Sequence, residues 1–599
     1  MKIYNNRNEV PEKYKWDLTD FYENEEKFLE DLKKCNDLIE KANNYKCCTK
    51  DSRKLYDFLK FYENVNCKCD NLYVYSYLIN DQELGKKENI ERINKVINLS
   101  NIVSQNLSFF EPELLELNQK DYDSLFEDNK KLLEYKNFLD SIYRKKGHVL
   151  SQEKEVIVSE LVNSVDNFAE LSSNLVNNEH NFGKIRLNDG TTEEIAVNNI
   201  WKFLKNSDRN LRKKVYKSFY KKIGEYSGTS AGLLNGYVKM NNSLAKIYNF
   251  KNPWEEKLFE LNVDNNVFEN LIKVVENNTK VLQKFYTLKK EILGYDKLYF
   301  YDKSVNLNKN KKEYTIEEAQ NLIKEALKPL GSDYLSKFEK IIKNRYIDYC
   351  QYKGKCSGGY SYSSSTTNSK ILMSFNGELD SVSTIAHESG HNVHDQYLKE
   401  NNPIQYRGQA LMICEIASLT NELLLSHYIV KNSKNKEEKL EGLENIINVI
   451  VSNLFGAVRE GKIEQEMYQY VYNGGTLTKE YMQELVDKSL KKYYGSSVTT
   501  TKIDRNSWVL RSHYFNNFYL YNYAISISVA TNIAQKIFNN EDNMAEKYIE
   551  FLKTGDDTLP LDTLKKLNIE LTNDNVYKSA IDYFENLINQ FEKIYKGSE

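Results

Sequence analysis

At 599 residues the chain is longer than one hydrophobic core comfortably supports, so two or three substructures with a large buried interior are expected. Its net charge of −3, with 28% of residues charged, gives no strong field of either sign and argues against nucleic acid or an anionic membrane as partner. With only 6 prolines and 24 glycines to interrupt it, the chain favours helices over turn-rich β architecture, and a mostly α fold is expected.

The opening stretch MKIYNNRNEVPEKYKW has no apolar h-region, which argues against a secretory signal. No uninterrupted apolar run approaches the roughly 18 residues that a membrane-spanning helix needs. The cysteines (Cys35, Cys47, Cys48, Cys67, Cys69, Cys350, Cys356 and Cys414) lack the paired CxxC spacing of a structural zinc site and read as free thiols. A reduced, cytoplasmic location is expected, without membrane attachment and without an obligate protein partner.

From about residue 20 to 180 the sequence reads as successive amphipathic helices. FLEDLKKCNDLIEKA and RINKVINLSNIVSQNL both place apolar residues at three- and four-residue steps. Pro112 suits the first turn of a helix running through PELLEL. The pattern breaks at FGKIRLNDGTTEEIAV (182–197), where Asp189-Gly190 between two extended runs predicts a β-hairpin. Helices resume through LRKKVYKSFYKKIGEY and VFENLIKVVENNTKVLQKFYTLKKEIL. A second non-helical island spans roughly 344–377; its Gly/Ser content suits turns and KILMSF reads as a short strand. Helical patterning then runs to the end. The organisation expected is an N-terminal helical region (1–115), a helical region ending in the hairpin (116–200), and a third region (201–599).

TIAHESGHNVHDQY (384–397) places three of the chain's 7 histidines within eight positions. On a helix His387 and His391 lie one turn apart on one face, within reach of a single ion. Glu388, beside the first histidine, can lean toward a metal-bound water without displacing it, which is the physical content of H-E-x-x-H. His394 lies about 10.5 Å along the axis from His387, too far for both to enter one tetrahedral site, so it reads as cleft-lining or structural. The third ligand must come from another segment. ICEIASLTNELLLSHY (413–428) offers Glu415 and Glu422, seven apart on one helical face. Glu415 is assigned as ligand and Glu422 as the carboxylate that orients a histidine ligand. Such a set, one Zn2+ per chain, acidifies its water toward a pKa of about 7 and polarises a carbonyl, while Glu388 accepts the proton. That chemistry hydrolyses amides. A tetrahedral oxyanion needs further donors, and RSHYFNNFYLYNYAIS offers His513, Tyr519, Tyr521 and Tyr523.

At these residues the sequence resembles the oligoendopeptidase F group of zinc metallopeptidases, relatives of thimet oligopeptidase and neurolysin. PEKYKWDLTDFY, NSDRNLRKKVYKSF, YKGKCSGGYSYS, ILMSFNGELDSVSTIAHESGHNVH, EIASLTNELLL and HYFNNFYLYNYA follow in the family's order over nearly the whole chain. Gly390 completes the family's H-E-x-G-H. The resemblance implies His387, His391 and Glu415 as zinc ligands, Glu388 as general base, and 201–599 as the catalytic domain. It implies His513 and a following tyrosine at the oxyanion, with Tyr519 and Tyr523 favoured and Tyr521 in reserve. It further implies that Gly358, Gly359 and Tyr360, with a strand around Met373–Phe375, hold the substrate backbone by strand addition. The fold implied is an elongated, two-lobed helical body with a deep central channel and a small β element beside the zinc-binding helix. The implied substrates are short, unstructured oligopeptides. Ser512 stands where the family usually carries proline, and YAISIS lacks its usual glycine after YA.

Two other readings remain open at this point. A zinc carboxypeptidase on a similar helical scaffold would cut only free-ended peptides. A catalytically silent peptide-binding protein would turn over none, although it has no need of Glu388.

Overall fold

A computed structural model describes residues 4–165, 167–177, 181–187, 189–308 and 312–597 of the chain. Two compact units emerge, each assembled from three stretches of chain. The first comprises Met1–Val149, Lys312–Tyr428 and Ile533–Asn568; the second comprises Leu150–Lys311, Ile429–Asn532 and Ile569–Glu599. Both are built from helices with a few short strands, as the scarcity of helix breakers predicts. No described helix is long and apolar enough to cross a membrane.

In the first unit the Ser52–Gln82 helix begins where the Asp51 carboxylate accepts from the Arg53 and Lys54 amides. Its apolar residues recur at three- and four-residue steps, so Leu55, Phe58, Leu59, Val65 and Leu72 share one buried face. That face packs with Phe28, Val96 and Leu99 from the Glu25–Ile39 and Lys87–Leu107 helices. Each such side chain contributes roughly 1.5–3 kcal/mol by leaving water.

The Gly/Ser-rich island of this unit forms a three-stranded sheet. The hairpin of the second unit supplies β1 (Lys184–Arg186) and β2 (Thr192–Glu194), so the sheet strands are β3 (Ile347–Asp348), β4 (Tyr360–Tyr362) and β5 (Lys370–Leu372). The order is β3-β5-β4, with β5 parallel to β3 and antiparallel to β4 in the register Tyr360↔Leu372. Few apolar side chains are available to anchor the preceding loop, and a buried ammonium does so instead. Lys355 Nζ donates to Asp348 Oδ1 at 2.7 Å and to the carbonyls of Asp348, Cys350 and Met373 at 2.6–3.0 Å.

In the second unit β1 and β2 pair antiparallel around Asp189-Gly190, where the hairpin is predicted. Gly190 has φ +86°, a left-handed conformation that glycine adopts without strain, and Asp189 Oδ1 accepts from the Thr191 amide at 2.9 Å. Asn188, within the predicted hairpin, lies outside the described residues. The Arg209–Ile247 helix, capped by the Asp208 carboxylate, buries Leu211, Val215, Phe219, Ile223 and Val238 along one face. The apolar run 267–293 divides into helices Asn265–Asn277 and Thr279–Ile292, because the Asn278 backbone leaves the helical region at φ −113°, ψ 19°.

Candidate metal centre

The histidine helix, Leu379–Asn401, is buried on most of its circumference, as a helix clamped between neighbours must be. One neighbour is the glutamate helix, Leu411–Asn432. The two backbones come close together at Gly390, where an added Cβ would lie 2.6 Å from the Ala417 carbonyl oxygen and 2.7 Å from Ser418 Cα. Only glycine permits that approach. Asn421 reinforces it by donating to the Ala386 carbonyl at 3.1 Å, while its own carbonyl accepts from the Tyr334 hydroxyl at 2.8 Å.

This contact delivers Glu415 to the two histidines. His387 Nε2 lies 3.5 Å and His391 Nε2 3.8 Å from Glu415 Oε2, and the three ligand atoms all fall within 4.8 Å of one another. Neighbouring donors of a tetrahedral zinc with bonds of about 2.1 Å are separated by about 3.4 Å, so two imidazoles and one carboxylate at this spacing fit an open site. Among the described residues no other group of histidine, cysteine or acidic ligands converges in this way.

The tautomer of His387 is fixed from behind. Its Nδ1 lies 2.5 Å from Glu422 Oε1, and Glu422 Oε2 accepts from the Ser383 hydroxyl at 2.9 Å. When a cation displaces the Nε2 proton, the proton kept on Nδ1 leaves the Nε2 lone pair toward the cluster. Glu415 is steadied by the Ser418 hydroxyl, 3.0 Å from its Oε2. Ser383 and Ser418 were not anticipated from the sequence, although Ser383 is one turn before His387 and Ser418 three residues after Glu415, spacings that put each pair on one face.

Burial alone would lower the pKa of His387, but the hydrogen bond and charge of Glu422, then Glu388 and Glu415, raise it to about 9. His391 is driven well below the usual histidine range, first by burial and then by His387 and His394. Burial pushes the Glu388 carboxyl up to about 7, with the His387 charge opposing and Glu415 and Glu422 adding to the rise. Burial likewise raises Glu415. Three carboxylates around two imidazoles make a site whose field favours a cation. His394 is buried, its Nε2 has no hydrogen-bond partner, and burial brings it down to about 4, so it stays neutral and outside the cluster.

Strand β4 runs beside this centre. A Cβ on Gly359 would lie 3.0 Å from Thr384 Cγ2 and 3.7 Å from Glu388 Oε1, and Gly358 has φ +95°, the region where glycine is favoured. The Tyr360 hydroxyl is committed to Asp81 Oδ2 at 2.8 Å. Met373 and Phe375 differ from the strand-addition expectation. Both are buried, and their amides donate to the carbonyls of Asp348 (3.1 Å) and Tyr349 (2.8 Å). β5 is the middle strand, whereas β4 has no strand on its other side among the described residues.

His513, Tyr519 and Tyr523 belong to the second unit. The His513 and Tyr519 rings lie 5.7 Å apart, and the Tyr523 hydroxyl is 3.3 Å from that of Tyr519. Burial and the nearby Arg511 lower the pKa of His513. Tyr521 is fully buried, packed edge-on against Trp254 and Phe268 at 5.4 Å, which makes it a core residue.

The chain is similar to known peptidases. The model of Peptidase family M3 matches residues 202–583, and that of Oligopeptidase F matches 113–182. The chain is 28% identical over 590 residues to Oligopeptidase PepF of Bacillus subtilis, covering 98% of this chain and 88% of that one. It is also 28% identical to Group B oligopeptidase PepB of Streptococcus agalactiae, covering 98% of each. A solved peptidase structure from Chlamydophila abortus superposes with a TM-score of 0.88 at 27% identity, covering 99% of this chain and all of that one. Oligoendopeptidase-F of Enterococcus faecium shares the fold, with a TM-score of 0.76 at 24% identity over 95% of this chain and 99% of that one. This chain belongs to peptidase family M3, in its oligoendopeptidase F group, and is a metallo-oligopeptidase.

Proposed function

We propose that the protein is a zinc endopeptidase that hydrolyses internal bonds of short, unstructured oligopeptides. The observation that carries this reading is the convergence of His387 Nε2, His391 Nε2 and Glu415 Oε2 beside the buried Glu388 carboxyl. His387, His391 and Glu415 would hold one zinc ion, with Glu422 fixing the His387 tautomer. Zinc in such a set supplies Lewis acidity that polarises a carbonyl and acidifies water.

The chain's own residues supply the rest. Glu388, raised toward neutrality by burial, is poised to take a proton from the attacking water and return it to the leaving amine. An extended substrate pairing with the outer side of β4 would bring its backbone past Gly359 toward Glu388, and a backbone-read site accepts many sequences. His513, Tyr519 and Tyr523 are proposed as donors to the developing oxyanion, a role that rests on the family resemblance. The catalytic domain is proposed to span 201–599. Eight free cysteines support a reducing, cytoplasmic setting.

The test is cleavage of an internally quenched peptide blocked at both ends. Protein stripped by a chelator should be inactive and should recover on adding one equivalent of zinc. Cleavage restricted to free-ended peptides would establish an exopeptidase instead.

A further inference from the structure

One helix of the second unit, Ala457–Tyr472, meets the segment carrying His513 and Tyr519 through side chains spaced four residues apart. Glu460 is buried, and its carboxylate accepts from Arg511 Nε at 3.1 Å and from the Tyr514 hydroxyl, besides pairing with Arg459. Both flanks of His513 are thereby tied to one side chain. Glu464 is fully buried, and its Oε1 accepts from the Phe518 amide at 2.8 Å, next to Tyr519. The Tyr468 hydroxyl donates to Asn517 Oδ1 at 2.6 Å, and Asn517 donates on to Asn241 at 2.9 Å. Positions 460, 464 and 468 share one helical face.

The segment does not hold itself in place. Phe518 has φ +57°, a left-handed conformation that costs a bulky residue of order 1 kcal/mol or more and persists only where its surroundings impose it. Its ring is wedged between Trp254 (4.7 Å) and Tyr468 (5.1 Å). Glu464 Oε2 is buried with no partner, an arrangement unfavourable for stability alone. Burial also pushes its carboxyl up to about 8, toward the neutral form.

We propose that Glu460, Glu464 and Tyr468 are positioning residues that set His513 against Tyr519. The inference rests on the reading in which His513 and Tyr519 meet the substrate. Misplacing such groups by about 1 Å costs up to roughly a hundredfold in rate.

The experiment measures kcat and KM on the blocked peptide for zinc-loaded Glu464→Leu, Glu464→Gln and Tyr468→Phe, with His513→Ala and Tyr519→Phe in parallel. Glu464→Leu removes the acceptor and should lower kcat between about tenfold and a hundredfold with KM unchanged. Glu464→Gln keeps a neutral acceptor of the same shape and should restore most of that loss. Tyr468→Phe keeps the ring but loses one hydrogen bond, and should lower kcat about fivefold; it decides the matter if the leucine variant does not fold. Wild-type kcat in Tyr468→Phe and Glu464→Leu, beside an impaired His513→Ala, overturns the proposal while leaving the underlying reading intact. So does a glutamine variant as slow as the leucine one. Wild-type kcat in both His513→Ala and Tyr519→Phe overturns the underlying reading and the proposal with it.

Discussion

Gly390→Ala adds one methyl group at the point where the two ligand-bearing helices touch. The new Cβ would lie 2.6 Å from the Ala417 carbonyl oxygen and 2.7 Å from Ser418 Cα, both backbone atoms that no rotamer change can move. Relieving these contacts to ordinary van der Waals separation requires the helices to part by roughly 0.8 Å or more. Alanine is the better helix former by about 1 kcal/mol, but overpacking of this kind costs about 1–3 kcal/mol. The net effect is destabilisation by up to about 2 kcal/mol. The functional effect should be larger, because Glu415 sits on the displaced helix while His387 and His391 do not. Loosening one ligand of three should weaken zinc binding about tenfold to a hundredfold. Chelator competition reads the affinity and thermal denaturation of the metal-free protein reads the stability. Wild-type zinc affinity in Gly390→Ala would refute the claim that this close approach places Glu415.

Glu422→Gln should weaken zinc binding about tenfold by removing the carboxylate that faces His387 Nδ1, and unchanged affinity in chelator competition would remove Glu422 from the site. Glu464 predicts a pH signature in stability: burial pushes its carboxyl from the ordinary 4.5 up to about 8, against the Phe518 amide, which opposes the rise. A carboxyl with a raised folded pKa binds its proton more tightly in the folded state, so stability falls as pH rises from about 4.5 through about 8. Glu464→Gln cannot ionise, so its Tm relative to wild type should climb across that window and level off above it. A Tm difference that stays constant with pH would contradict the assignment.

The parts of the centre that lie on one helix are legible in the sequence. His387, Glu388 and His391 need only the helical period to be placed together, and Glu415 follows from needing a third ligand on a nearby buried helix. The Asp189-Gly190 hairpin and the KIL strand are likewise local, each set by turn chemistry or a short apolar run. What the sequence hides is decided by contacts between distant stretches. KILMSF reads as a strand, but nothing in it says that β5 is the middle strand with the amides beyond it already engaged. Tyr521 has the same composition around it as Tyr519 and Tyr523, and only packing on Trp254 and Phe268 assigns it to the core. EGKIEQEMY has the composition of a solvated helical face, yet it buries Glu460 and Glu464 against residues about fifty positions later. Gly390 stands out in the motif, but its reason, a backbone contact with Ala417, is visible only in three dimensions.

The decisive measurement is cleavage of the end-blocked quenched peptide by wild type and Glu388→Gln at equal zinc content. Loss of general-base assistance should reduce kcat by about 10²–10⁴-fold with zinc retained and KM little changed. A glutamine variant that cleaves at the wild-type rate would contradict Glu388 as the base, and with it the account of how this centre hydrolyses peptides.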